Sequence, residues 1–253
     1  MRIVCFIFVF LILVCAPLHA EIGLGPNEIV KLRRIVDGDT VEVEGGEKIR
    51  LLGINTPELD EALGHEARER LRELLEGMTK KVYFQRCVAQ ERDKYGRILA
   101  FIKVGGKDVQ ASLLQEGLAV PLNIAPCGLL RIDDYHRLAA NARRRGVGIW
   151  DRLVRDALSD QMTAQATGQY RGVRGSVRTV FDKGDRIYLN FGQDWRKDFT
   201  LVLSQKDVKR FQARGIDPVR DYRGKKMTVY GLLFQSRGTQ MELFTPYQID
   251  LSQ

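Results

Sequence analysis

The residues best equipped for chemistry lie in three short stretches: Asp37-Gly38-Asp39-Thr40-Val41, then Arg50-Leu51-Leu52-Gly53-Ile54-Asn55-Thr56-Pro57-Glu58, then Asp93-Lys94-Tyr95-Gly96-Arg97. They supply carboxylate, amide and carbonyl oxygens for a hard cation, a further carboxylate and two arginines. An arginine fork matches phosphate oxygens, a cation neutralises charge that builds on them, and a free carboxylate can take a proton from water. This combination points to attack on a phosphodiester.

Such groups must converge, so the residues between them have to form rigid elements. Residues 29–36, 40–43 and 48–54 alternate or are β-branched, with Glu44-Gly45-Gly46-Glu47 as a hairpin turn. Residues 63–76 carry Arg, Glu and Leu at helical spacing and stop at Gly77. Strand patterns return over 81–87 and 97–104, and helical ones over 109–117 and 132–145, the last capped by Asp133 or Asp134. Residues 152–169 are polar and read as a linker or trailing helix. The last third repeats the order without repeating the sequence: strands over 175–181, 186–191 and 199–203, a helix over 205–213 capped by Ser204, and strands over 226–234 and 240–244. Three strands, a helix and two strands is the order of an OB-type barrel.

Of the 253 residues, 44% are apolar and 28% charged, enough for two modest globular domains. Met1-Arg2, an apolar run over residues 3–14 and the small Ala20 read as an export signal cleaved after Ala20, leading to a periplasmic or secreted protein. Its removal takes away Cys5 and Cys15 and leaves Cys87 and Cys127, either a disulfide or two buried thiols. With histidines only at 19, 65 and 136 and no CxxC, a zinc site is not supported. Residues 21–164 hold 23 basic and 23 acidic residues, whereas residues 165–253 hold 16 basic against 9 acidic. The positive excess of seven in the last third suits a polyanionic partner, although a basic surface also serves solubility.

The three stretches, together with Glu116-Gly117-Leu118-Ala119 and Gly148-Ile149-Trp150, resemble the staphylococcal nuclease-like, or thermonuclease, domain over residues 27–151. The resemblance implies a five-stranded OB-type barrel with three helices over 21–151; with the smaller, basic OB-like barrel that the order of elements suggests over 170–253, a region that looks like the accessory domain of some bacterial members, the chain is mainly β, α+β. The resemblance also implies a Ca2+-dependent phosphodiesterase acting on DNA and RNA. Asp39 is similar to a calcium ligand, Asn55 occupies the place of a second one, and Thr56 is similar to a ligand through its carbonyl. Glu58 matches the general base, Arg50 and Arg97 the arginines that hold the phosphate, and Lys94 and Tyr95 positions that touch the nucleotide. In the same family fold the strand end carrying Cys87 lies near the loop carrying Cys127, which favours the disulfide.

Asn55 departs from the family's aspartate: its amide oxygen still coordinates calcium but brings no charge. A non-catalytic nucleic-acid-binding module of the same fold is therefore the alternative, and a protein-docking role for the second domain is a third reading. The segment between Glu58 and the first helix is shorter than in the family prototype, and Asn123 replaces a tyrosine near the nucleotide. His65 reads as a surface residue, and Trp150 as packed under the last helix. Tyr188, Phe191 and Trp195, near Arg186, Arg196 and Lys197, read as core of a small barrel, with base stacking as the alternative.

Overall fold

A computed structural model describes residues 23–76 and 82–252. The export signal expected over residues 1–20 lies outside them. No helix among the described residues is long and apolar enough to cross a membrane.

The first two-thirds runs β1 (Leu24–Ile29), β2 (Leu32–Ile35), β3 (Thr40–Val43), β4 (Lys48–Leu51), β5 (Ile54–Asn55), α1 (Gly64–Glu76), β6 (Val82–Cys87), β7 (Ile98–Val104), β8 (Lys107–Asp108), α2 (Val109–Gln115), β9 (Val120–Pro121), α3 (Ile132–Arg144) and α4 (Ile149–Arg155). The main sheet has the order β1-β6-β7-β4-β3-β2, with β8 on β7. Its two edge strands, β1 and β2, are separated in the chain only by Val30 and Lys31, so the sheet must curl until its ends meet. A five-stranded OB-type barrel is the expectation, and the hydrogen bonding corrects the strand count. The ladder holds seven strands and has no hydrogen-bonded pairing between β1 and β2, which are consecutive parts of one bent stretch, the first paired with β6 and the second with β3. That bent strand begins earlier than its pattern suggests: Gly25 and Pro26 interrupt the alternation and sit where the pairing shifts between Leu24 and Asn27.

Inside the curl, Val41, Ile49, Leu51, Phe84, Ala100, Ile102 and Leu113 are almost wholly buried. Gly117 and Gly148 explain their motifs by close approach: a Cβ on Gly148 would lie 2.1 Å from the Gly117 carbonyl, which accepts the Ile149 amide. Both have positive φ, which glycine alone adopts freely. A disulfide joins Cys87 at the end of β6 to Cys127.

The remainder runs β10 (Leu158–Ser159), β11 (Tyr170–Ser176), β12 (Thr179–Asp182), β13 (Arg186–Asn190), β14 (Thr200–Ser204), α5 (Gln205–Gln212), α6 (Pro218–Asp221), β15 (Lys226–Gln235), β16 (Thr239–Glu242) and β17 (Ile249–Leu251). Ser204 caps α5 by accepting from the Lys206 amide. The path β11-β15-β16-β14-β13-β12 has the same strand order as the first sheet, and β14 with β16 is parallel just as β4 with β7 is. β11 is masked in the sequence by its glycines, whose missing side chains make room for neighbours: a Cβ on Gly172 would lie 2.8 Å from the Tyr230 ring. Residues 152–169 hold the end of α4, β10 paired with β11, and a 3-10 helix, Asp160–Ala166, whose Thr163 and Ala166 are buried.

The two cores meet at Trp150, which packs edge-on against Tyr170 and Tyr230. Arg143, with 4% of its side chain exposed, bonds both Asp250 oxygens and stacks over Tyr230 at 4.3 Å. Beside it on α3, His136 is buried and its Nε2 accepts from the Asn123 amide at 2.7 Å. Burial, with Arg143 and Arg210 nearby, pushes its pKa down to about 3. The folded state therefore keeps His136 neutral while the unfolded chain protonates near its ordinary value, so stability is lost as the pH falls below about 6.5. We expect about 2–3 kcal/mol less stability at about pH 4.5 than at neutrality from this residue alone. Urea unfolding at the two pH values should show that difference shrinking in His136→Gln; an equal loss in both proteins would refute it.

Candidate active site

The first catalytic-type group is set by a turn. Asp37 Oδ1 accepts from the Asp39 amide at 3.0 Å, and the Val36 and Asp37 amides both reach the Thr40 carbonyl. This fold of the Asp37-Gly38-Asp39 segment turns the Asp39 carboxylate inward to 6% exposure. Gly38 is required sterically, since a Cβ there would fall within 2.8 Å of Thr56 and Ala67.

Asp39 is the hub. Its Oδ2 accepts from the Thr56 amide at 3.0 Å and the Thr56 hydroxyl at 3.3 Å, and pairs with Arg50 at 3.0 Å. Its Oδ1 accepts from the Thr40 hydroxyl at 3.2 Å. Arg50 faces away from the core because its neighbours Ile49 and Leu51 fill it. Its guanidinium also reaches the Leu51 carbonyl and, at 3.0 Å, Asn55 Oδ1. Burial pushes the Asp39 carboxyl above its usual range against the pull of Arg50.

Arg97 arrives from the other side. The parallel pairing of β4 with β7 sets Arg50 opposite Leu99 and so brings the turn before β7 alongside. Arg97 donates to the Thr40 hydroxyl at 3.3 Å and forms an ion pair with Asp93 at 2.7 Å. Burial works to raise the Asp93 carboxyl, but hydrogen bonds from the Arg97 side chain and the Arg97 and Tyr95 amides outweigh it and hold it low. Asp93 thus orients Arg97, a role visible in the sequence only as an i, i+4 acid–base pair. Lys94 and Tyr95 are exposed on the same turn, with Arg97 Cζ 5.3 Å and Lys94 Nζ 4.9 Å from the Tyr95 ring.

Glu58 completes the group at the surface. Burial raises its carboxyl above the usual range, and the negative charges of Asp37, Asp39 and Glu61 add to that. The short segment after it is wound tightly: the Glu58 amide donates to Glu61 Oε2, the Glu61 amide to the Glu58 carbonyl, and the Gly64 amide to the Glu61 carbonyl. A Cβ on Gly64 would lie only 1.9 Å from the Glu58 carbonyl oxygen. Nothing in the sequence pattern singles out Gly64, because the contact exists only once residues 58–64 are wound into these turns. Gly64→Ala must therefore displace Glu58, and we expect catalysis to fall about 10- to 100-fold with the fold retained. Circular dichroism alongside turnover would check this; unchanged turnover would show that the position of Glu58 is not held from Gly64.

Asp39, the Asn55 amide oxygen and the Thr56 carbonyl lie together, with Asp37 and Glu58 close enough to act on one another electrostatically. Among the described residues no three His, Cys, Asp or Glu side chains form a metal cage. The donors present are all oxygen and fit a hard cation such as calcium, provided Asn55 lets go of Arg50 and of the Thr56 carbonyl that its Nδ2 contacts at 3.2 Å. His65 is exposed on α1, and Asn123 is engaged by His136.

Residues 48–152 match the family model described as staphylococcal nuclease homologue. An uncharacterized endonuclease of Escherichia coli is 34% identical over 122 residues, covering 46% of this chain and 69% of that protein. The chain belongs to the staphylococcal nuclease-like family. Other relatives agree with the placement. The thermonuclease of Staphylococcus intermedius is 28% identical over 135 residues, covering 50% of this chain and 78% of that protein. The SPbeta prophage-derived endonuclease YokF of Bacillus subtilis (strain 168) is 34% identical over 132 residues, 49% of this chain but 44% of its own length. As a member of the staphylococcal nuclease-like family, the chain has an OB-type fold in its first part, which the curled sheet carries.

Proposed function

We propose that this protein is an exported, Ca2+-dependent nuclease that hydrolyses phosphodiester bonds in DNA or RNA. The observation that carries the proposal is the continuous chain Arg97–Thr40–Asp39–Arg50, with Glu58 beside it. Glu58 takes a proton from water as the water oxygen bonds to phosphorus, Arg50 and Arg97 donate to the phosphate oxygens, and the bond from phosphorus to the leaving oxygen breaks, that oxygen taking a proton from solvent. Asp39, Asn55 and Thr56 would hold the calcium ion, which when bound neutralises charge on the phosphate. Lys94 and Tyr95 contact the nucleotide, a role that their exposure beside Arg97 supports. Names of relatives as endonucleases and a thermonuclease support the activity. The Cys87–Cys127 disulfide supports export, since such bonds persist in oxidising compartments.

The test is incubation of single-stranded DNA with the protein in calcium and in chelator. Degradation lost on chelation is the expected result; intact DNA at saturating calcium would leave the binding module as the reading. Asn55→Asp adds a charged ligand, and its half-saturating calcium concentration should fall about three- to tenfold. Because position 55 also touches Arg50, an aspartate there ties the guanidinium more firmly, and turnover at saturating calcium should not rise. Calcium titration by calorimetry beside turnover separates the two effects, and an unchanged calcium affinity would remove Asn55 from the ligand set.

A further inference from the structure

The second domain carries a cleft that the active site does not use. It lies on the outer face of β12, β13, β14 and β16 and has a volume of about 610 Å³. Strand alternation sends Ile187 and Leu189 into the core and leaves Arg186, Tyr188 and Asn190 facing out. Phe181 stands directly opposite Tyr188 across the strand pair and is 54% exposed. Phe191 belongs to the core, but Trp195, on the loop between β13 and β14, is 40% exposed at the rim.

Cations frame these rings. Lys183 lies 5.5 Å from the Tyr188 ring centre and 5.9 Å from that of Phe181, and Arg237 lies 5.2 Å from that of Trp195. Lys183, Arg186 and Arg237 have no carboxylate partner among the described residues, and no residue lining the cleft is acidic. Glu242 continues the Phe181 row, but three strands away and outside the cleft. In strand order this face is equivalent to β2, β3, β4 and β7, the face bearing Thr40 and Arg50 in the first domain.

We propose that this cleft is a second, non-cutting site for single-stranded nucleic acid. Unpaired cations attract the phosphates, and exposed rings offer a surface on which the free bases of a single strand stack. The positive excess of the last third agrees with an anionic occupant. A duplex keeps its bases stacked on each other, and an anionic polysaccharide has none. The choice of nucleic acid rests on the nuclease reading; the cleft itself does not.

The test uses the full chain carrying Glu58→Gln, in chelator, with a fluorescein-labelled oligothymidylate of about twelve nucleotides, within the site size of one such fold. The chain has two tryptophans, and Trp150 is wholly buried, so quenching of intrinsic fluorescence reports Trp195. Binding should quench it, and Trp195→Ala and Phe181→Ala should each weaken affinity about 5- to 50-fold. Arg237→Gln should lower the salt slope of binding by about one. In an otherwise unmodified chain, none of the three should change hydrolysis of a p-nitrophenyl ester of thymidine phosphate, a substrate too small to reach the cleft. Unchanged affinity in both aromatic variants would overturn the proposal, as would dextran sulfate competing as well as the oligonucleotide at equal charge. A chain that binds through the cleft but cleaves neither DNA nor RNA would leave this inference standing and remove the nuclease reading.

Discussion

Glu58→Gln is expected to lower kcat about 10²- to 10⁴-fold, the range over which a positioned general base contributes, while binding of single-stranded DNA changes little. The amide keeps the size of the carboxylate but cannot accept a proton from water. Glu58 is also the exposed acid of the cluster, so its replacement leaves the buried pair of Asp39 and Arg50 intact and the fold stable. Single-turnover cleavage at saturating calcium, paired with an affinity measurement on the same oligonucleotide, is the check. Activity within a few-fold of the unmodified protein would mean that water is activated elsewhere in the cluster.

Arg50→Ala is expected to damage both catalysis and stability. Asp39 and Arg50 expose only 9% and 10% of their side chains, and removing one partner leaves the other charge buried without compensation. We expect a stability loss of about 3–5 kcal/mol, measured by urea unfolding in chelator so that calcium does not obscure it. The double variant Asp39→Asn/Arg50→Ala should recover part of that loss, because it no longer buries a lone carboxylate. Strict additivity of the two single changes would show that the pair is not coupled. In activity, Arg50→Lys should recover little of what Arg50→Ala loses, since an ammonium cannot reproduce the fork that now reaches Asp39, Asn55 and the Leu51 carbonyl.

Much of the site was legible because it is local. Asp37 to Thr40 form one turn, and Asp93 to Arg97 form another, so their geometry follows from a few neighbouring residues. Strand positions such as Arg50 follow from alternation about Ile49 and Leu51. Legibility declined where glycine or proline interrupted a pattern. The bent strand begins at Leu24 although its alternation starts only at residue 29, beyond Gly25-Pro26, and β11 begins at Tyr170 although the pattern starts only at residue 175, beyond Gly172. Aromatic residues were ambiguous in another way: Phe191 and Trp195 are similar in type and near in sequence, yet one lies in the core and the other at the cleft.

By itself, then, the sequence determined which groups are available, their order, and the strand and helix patterns that carry them, since side-chain chemistry and periodicity are properties of short segments. Tertiary structure decided which of those groups meet. The parallel register of β4 and β7 brings Arg97 to Thr40, the winding of the turn before α1 presses Gly64 against Glu58, and the curl of the second sheet gathers Phe181, Tyr188 and Trp195 into one cleft. The first of these contacts joins residues 57 positions apart, and the others join residues that are near in sequence but sit on different strands, helices or loops. Their geometry depends on how whole sheets and helices pack, and no local pattern encodes that.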